Sequence, residues 1–300
     1  MANSLYTPKE AALASLTALR YLSILPRTVN QNYSQEMIPG RGATIDVKKP
    51  ISAGEAKVYT KANRDAGEAI GYNDLSEPFV AVKLEDQLYN AVKINDFEGT
   101  FTIQDLATQV LRPQAESVVD KLPTPLIAQM VAIQNDKKKP IEDIKQDGSN
   151  VLKSIIAARA VLNKRKVPAA NRYLAIGADV EALLLSVPQL QKINEAGDGG
   201  DALRRAIIGN LFGFTIVADA SLPADKAIAY ERDAFTFVTR TTAIPQGAAK
   251  GSIVAQDGFS LRWIQDYDPD YFVDRSVIDT FYGAATLDAD RAVAFKLAAA

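Results

Sequence analysis

Apolar and polar positions follow two different periods along this chain, and the alternation between them outlines its elements. Leu13, Leu16, Leu19 and Tyr21–Leu22 recur at helical spacing, with Thr7 as a cap, Pro8 in the first turn, Glu10 three residues after the cap, and Pro26 as the stop. Arg27 to Arg41 is polar and reads as an extended arm that offers a partner surface. Two strand-like stretches follow, 43–50 with Ile45 and Val47 on one face, and 79–94 with Val80, Val82, Leu84, Val92 and Ile94. Between them, Ile51 to Pro78 is polar and punctuated by Gly54, Gly67 and Gly71. A stretch that long without periodicity does not belong inside a compact body; it fits a two-stranded excursion reaching away from it.

The helical period returns at 101–135, where Ile103, Leu106, Val110, Leu111, Val118 and Leu122 share a face. Pro113, Pro123 and Pro125 interrupt it, and an interior proline removes a hydrogen bond at a cost of about 3 kcal/mol. The pattern therefore predicts a break near 121–125. Ser149 or Asn150 caps a cleaner helix whose stripe is Val151, Ile155, Ala158 and Leu162, joined by Leu152 and Ile156, and which ends in Lys164-Arg165-Lys166. Arg172–Ile176 is a short strand. Asp179 caps a helix through Val187, and Pro188 stops it. Asp201 caps another helix over 202–209, and strands follow at 214–218, 227–230 and 235–238. The last quarter alternates with period two. Phe259, Leu261 and Trp263 form one strand, Tyr271–Tyr282 a second, and Val293, Phe295 and Leu297 a third, separated by turns at 267–270 and 286–290.

Composition narrows the function classes. The chain of 300 residues contains no His and no Cys, which removes the commonest general base, thiol nucleophile, disulfides and zinc–thiolate sites together. Lys+Arg 34 against Asp+Glu 36 gives a net charge of -2, without the basic excess of a dedicated nucleic-acid binder. No window is apolar for the roughly 18 residues that a membrane helix needs, and no basic cluster precedes the apolar start, so a secretory signal is not expected. Asp266, Asp268 and Asp270 begin like a calcium loop, but its sixth and twelfth positions are Tyr271 and Val277 rather than Gly and an acid. Gly197-Asp198-Gly199-Gly200 follows a helix and not a strand, so it reads as a flexible loop and not a phosphate cradle. The basic runs Lys137-Lys138-Lys139 and Lys164-Arg165-Lys166 read as solvated helix ends able to touch phosphate. A carboxylate-pair hydrolase is compatible with the composition, but no particular pair stands out.

The order of these pieces resembles the major capsid (coat) proteins of tailed bacteriophages, which have the Hong Kong 97 fold, in the coat branch labelled after the podophage gene-5 product. The residues that carry the resemblance are TVNQNYSQEMIPGRGATIDVKKP, FTIQDLATQVLRPQAESVVDKL, VLKSIIAARAVLNKRKVPAANRYLAIGADVEALL, GNLFGFTIVADASLP and GFSLRWIQDYDPDYFVDRSVIDTFYGAATLDADRAVAFK. None is a chemical motif; the likeness lies in their order and number. It implies an α+β fold with an N-arm and short helix over 1–42 and an extended β loop over 43–97. A long spine helix and peripheral domain would then cover 98–177, an axial domain 178–250, and closing peripheral strands 251–300. It further implies a shell subunit with no cofactor and no metal. Pentamers and hexamers of one chain would form an icosahedral shell around double-stranded DNA, without sequence-specific binding and without a membrane. Separate scaffolding, portal and decoration proteins are possible partners, with assembly in the host cytoplasm and the virion capsid as the final location. On this resemblance Gly54, Lys57, Tyr59 and Gly67 of the extended loop and Asp198, Gly199 and Gly200 of the axial loop are the candidate inter-subunit contacts. An encapsulin-type nanocompartment shell shares the fold and is the alternative; a cytoplasmic carboxylate enzyme is the alternative of another class.

Overall fold

A computed structural model of the chain describes residues 24–32, 44–48, 56–73, 79–97, 107–138, 140–187, 209–256 and 259–298. The expected N-terminal helix, apart from its last residues, and the expected helix over 202–209, apart from Gly209, lie outside these.

Strands β1 (Thr44–Lys48) and β2 (Phe79–Lys83) pair antiparallel into a ribbon, with Val47 opposite Val80. The short helix α1 (Lys61–Asp65) lies between them in sequence. The stretch expected to alternate from 79 to 94 is divided at Leu84–Asp86, after which β3 (Gln87–Asn95) begins.

The spine breaks where the prolines stand. A π-helical turn at Ala107–Leu111 runs into α2 (Arg112–Lys121), and α3 (Thr124–Val131) follows after a two-residue step. Pro113 and Pro125 each fall in the first turn of their helix, the part of a helix that best tolerates proline. Helix α4 (Val151–Lys164) buries Val151, Ile155, Ala158 and Leu162 as its period requires, whereas Ile156 is exposed. Asn150 precedes it without a side-chain cap, because its amide instead accepts from the Lys145 N–H and donates to the Asp143 carbonyl. Strand β4 (Arg172–Ile176) leads into α5 (Ala178–Leu185), whose cap position is Gly177 and not Asp179; Asp179 lies in the first turn. A Cβ at Gly177 would stand 2.2 Å from the Pro223 carbonyl oxygen, so the loop folded across this turn admits only glycine.

The remaining strands are β5 (Asn210–Leu211), β6 (Phe214–Ala218), β7 (Lys226–Glu231), β8 (Phe235–Arg240), β9 (Lys250–Gln256), β10 (Phe259–Asp268), β11 (Val273–Thr286) and β12 (Ala292–Lys296). One sheet has the order β3-β11-β10-β9, with β8 also pairing β11. Phe281 is paired with Gln87 on one side and Arg240 on the other, so β8 continues the edge that β10 leaves. The other sheet has the order β12-β7-β4-β6-β5, in which only β4–β6 is parallel.

This second sheet is covered on both faces. Leu174, Ile176, Ala227, Ala229, Val293 and Phe295 pack towards α4 and α5. Ala175, Ile228, Tyr230 and Ala294 pack into a core shared with Val118, Val119, Leu122, Leu126 and Met130 of the spine and with Trp263 and Ile278 of the first sheet. Burial on both faces explains why β7 reads as an uninterrupted apolar run. The spine is thus the wall common to both sheets. Gln114 pins it in place, donating to the Asn90 and Ser276 carbonyls at 2.7 and 2.8 Å. Its own carbonyl accepts from the Ser276 hydroxyl, which in turn accepts from the Trp263 indole N–H.

The N-terminal segment departs from its expected role as a free arm. Leu25, Thr28, Val29 and Asn30 are buried against the body. Asn30 exchanges backbone hydrogen bonds with Phe235 and Phe237, and its side chain donates to Asp233 at 2.7 Å. The Thr28 hydroxyl donates to the Leu25 carbonyl and accepts from Tyr230. The strand edge it covers is more than 200 residues away in sequence, and local polarity carries no sign of that partner.

Candidate inter-subunit surfaces

The ribbon has a fastened base and a bare tip. At the base, Val47, Val82 and Leu84 are buried with Val238, Ala285 and Leu287. Here the chain crosses β11 at Gly283, where a Cβ would stand 2.5 Å from the Lys83 carbonyl oxygen and 2.9 Å from Leu84 Cδ2. Only a residue without a side chain allows the two backbones to lie this close.

At the tip, 56–73, every residue except Asn63 is exposed. The tip is nonetheless ordered by its own bonds. Thr60 caps α1 by accepting from the Asn63 N–H. Gly67, at φ +66°, closes the helix with two bonds, Gly67 N–H to the Arg64 carbonyl and Glu68 N–H to the Asn63 carbonyl. That pair is the Schellman arrangement, which needs a left-handed residue at the position Gly67 fills. The Tyr59 hydroxyl donates to the Glu68 carbonyl at 2.6 Å, and Lys57 Nζ donates to the Gly71 carbonyl at 3.3 Å. Three of the sequence-derived contact residues, Lys57, Tyr59 and Gly67, therefore converge on one tip and hold its shape. Gly54, Asp198, Gly199 and Gly200 lie outside the described residues.

The side chains this tip presents were not singled out by sequence. Val58 is 84% exposed, Tyr72 85% and Ile70 57%. Burying such a side chain stabilises by about 1.5–3 kcal/mol, so three of them held on a shaped tip favour contact with another surface. The recognisable signal is apolar residues inside an otherwise polar, glycine-bounded loop.

A second exposed apolar surface lies at the turn between β10 and β11. Phe97, Tyr271 and Phe272 are exposed there, Phe272 at φ +52°. The Asp96 N–H bonds the Phe272 carbonyl, and the Tyr267 hydroxyl donates to Asp96, which joins the end of β3 to the same turn. The aspartates that resemble a calcium loop are engaged otherwise. Arg275 pairs with Asp266 at 2.8 Å and Asp268 at 3.3 Å, and Asp268 accepts from the Asp270 N–H. Among the described residues no three acids converge as a metal site, and no helix is long and apolar enough to cross a membrane.

The buried charges serve architecture. Arg262 and Asp279 form two parallel bonds of 2.8 Å between β10 and β11, Gln87 donates to the same carboxylate, and Arg262 also holds the Ala243 carbonyl. Burial alone would lower the Arg291 pKa, but the hydrogen bond and charge of Glu231, with Asp288, more than reverse it. That cluster fixes the turn before β12. Burial raises the pKa of Tyr230 well above its ordinary value, so its hydroxyl stays neutral. Among the described residues these buried contacts join strands and turns to one another. What the molecule offers is shape, exposed apolar side chains and a rigid frame behind them.

A fastened ribbon, a broken spine helix and two sheets sharing that spine define the Hong Kong 97-type capsid fold, the architecture of a shell-building subunit. The chain belongs to the phage capsid protein family, whose model matches residues 95–293. It is similar in fold to a chain of Mycobacterium phage Che8 (TM-score 0.67, 18% identity, covering 91% of this chain and 90% of that one). It is similar also to the capsid of cyanophage P-SCSP1u (TM-score 0.61, 16% identity, 86% and 84%). A virus-like particle from Pyrococcus furiosus superposes less closely (TM-score 0.52, 12% identity, 96% and 98%). No curated protein matches the chain in sequence. The family match makes this a major capsid protein that forms a shell, a structural component of the virion; the nanocompartment and enzyme alternatives are not favoured.

Proposed function

We propose that the subunit assembles through pentamers and hexamers into a closed icosahedral shell around double-stranded DNA, with the ribbon tip as the clamp between neighbouring copies. The observation that carries this reading is the tip itself: self-capped, shaped, and presenting Val58, Ile70 and Tyr72 to solvent while its base is buried. A subunit that had to function alone would gain nothing from ordering such a surface, whereas a ring closed by repeated head-to-tail contacts needs it. Within this reading 1–42 is the N-arm region, 43–97 the extended loop, 98–177 spine and peripheral domain, 178–250 axial domain, and 251–300 the closing strands. Asp198, Gly199 and Gly200 stand at the ring centres, and Gly54 belongs to the same clamp as Lys57, Tyr59 and Gly67. Scaffolding, portal and decoration functions come from other chains, and assembly takes place in the host cytoplasm. The podophage coat branch is its place within the family.

The test is deletion of 56–73 with a short linker in its place. Subunits should keep their secondary structure and cooperative unfolding but yield no closed particles by electron microscopy and light scattering. Normal particles from the deletion variant overturn the clamp. Replacing Gly199 and Gly200 by Val should separately lower the yield of closed shells with subunit stability unchanged; full yield removes that loop from the ring centre.

A further inference from the structure

The two basic runs, separate in sequence, meet in the fold. Asp136 pairs with Arg165 at 3.3 Å and accepts from the Lys138 N–H. This places Lys137 and Lys138 beside the C-terminal end of α4, where Lys164 and Lys166 flank Arg165. A groove of about 280 Å³ runs on along the helix from Lys164 to Lys153, between α4 and Pro140–Glu142. Lys137, Lys138, Lys153, Lys164 and Lys166 are all exposed. Among the described residues no carboxylate lies within ion-pair distance of Lys137, Lys138, Lys164 or Lys166. Acids around it include Asp136, already held by Arg165, Glu142 across the groove, Asp143 beside Asn135, and Asp290, whose backbone carbonyl accepts from Arg165. In a chain of net charge -2 this is a local concentration of unneutralised positive charge.

Lys166 adds an independent observation. It closes α4 in the Schellman position, with Lys166 N–H on the Asn163 carbonyl and Val167 N–H on the Leu162 carbonyl, at φ +57°. Gly67 fills the same position at the end of α1. A left-handed backbone disfavours any residue with a Cβ, so glycine would suit the local structure better than lysine. A cation held at a strained position points to use of the charge. The helix dipole also favours cations here, but Lys164 and Arg165 already serve that end without strain.

We propose that this patch is a phosphate-backbone contact for duplex DNA: Lys137, Lys138, Lys164 and Lys166 face the shell interior and bind the packaged duplex without reading sequence. The inference rests on the reading that the subunit encloses DNA. Exposed lysines on flexible stems suit such contacts, because they neutralise phosphates in any register.

The experiment uses full-length subunits dissociated from shells, a short random-sequence DNA duplex, and a salt titration of the affinity. Each phosphate contact contributes about 0.9 to the slope of log K against log salt, so K137Q/K138Q/K164Q/K166Q should lower that slope by about 3 to 4. The control K93Q/K121Q, at exposed lysines of β3 and α2, should leave it unchanged. K166G should lower the slope by about one while raising the subunit melting temperature, a combination that a merely structural lysine would not give. In intact shells, a lysine-acetylating reagent should modify these four residues more slowly when DNA is present than after it is released. An unchanged slope in the quadruple variant, or labelling indifferent to DNA, overturns the proposal while leaving the shell reading intact. Failure of the wild-type chain to form particles removes the shell reading itself, whatever the DNA titration gives.

Discussion

Replacing Gly283 by Ala tests how firmly the ribbon is seated. The new methyl would lie 2.5 Å from the Lys83 carbonyl oxygen, whereas ordinary contact begins near 3.4 Å. The ribbon base must therefore withdraw by about 0.9 Å, or β11 must bend by as much. Overpacking of this kind costs about 1–3 kcal/mol. Alanine returns about 0.4–1 kcal/mol by restricting the unfolded chain, since Gly283 does not have the positive φ that an alanine would resist. The net expectation is a destabilisation of about 1–2 kcal/mol, or a few degrees in Tm. The displacement matters more than the energy. The ribbon is seated here by Val47, Val82 and Leu84, so a shift of about 0.9 Å at the crossing re-aims everything the ribbon carries beyond that seat. That is enough to misplace a clamp whose register is set by a few side chains. Differential scanning calorimetry on subunits and particle counts by electron microscopy measure the two effects. Gly247→Ala is the control, because a Cβ there meets nothing within 4 Å. If Gly283→Ala matched Gly247→Ala in both Tm and particle yield, the close approach would not be what seats the ribbon.

Asp279→Ala leaves the buried Arg262 guanidinium without its carboxylate and should cost about 3–5 kcal/mol in urea unfolding, with Arg262→Met added in the same chain recovering part of the loss. Ser276→Ala strips a partner from both Gln114 and the Trp263 indole and should lower the urea midpoint by an amount equivalent to about 1–3 kcal/mol, with the m-value unchanged. Val58→Asp with Tyr72→Asp should leave subunit stability within about 0.5 kcal/mol, because both side chains are solvated, yet abolish particles in light scattering. Stability should also fall above pH 10. The raised pKa of Tyr230 means that the unfolded chain loses this proton first, so the contribution is complete below the ordinary value of 10.0 and disappears as pH rises beyond it. A pH series should show Tyr230→Phe losing less stability than wild type across that alkaline window.

The parts of the fold legible in sequence are those with one clear period. The α4 stripe and the alternation of Phe259, Leu261 and Trp263 could be read because each element has one apolar side, even though Arg262 on the other face of β10 is buried as well, paired with Asp279. The spine break could be read because proline acts on its own chain, whatever packs against it. Elements set by distant partners could not. Gly283 looked like the end of a strand, yet β11 runs through it to Thr286, since the glycine is there to admit a crossing chain. Arg27–Asn30 looked like a free arm because its partners are β8 and Tyr230. Helix α1, at five residues, is too short for periodicity to reveal it; only Thr60 and Gly67 mark its ends. At the candidate surfaces, glycine spacing located the excursion but not Val58, Ile70 and Tyr72, because exposure of an apolar side chain has no sequence period.

The way the two sheets are closed has a consequence in time. Strand β3 pairs with β11, separated from it by nearly two hundred residues, the 24–30 segment is held by Phe235, Phe237 and Asp233, and β12 completes the sheet begun at β4. A chain emerging from the ribosome therefore cannot finish either sheet until β11 and β12 have been made, and long loops must close before their contacts repay the entropy. Folding is late and concerted rather than progressive. The buried seat of the ribbon includes Val238, Ala285 and Leu287, so it too is absent until residue 287 has been made. An unfinished chain has no seat for its ribbon, so the order of synthesis itself withholds that surface until the body behind it exists.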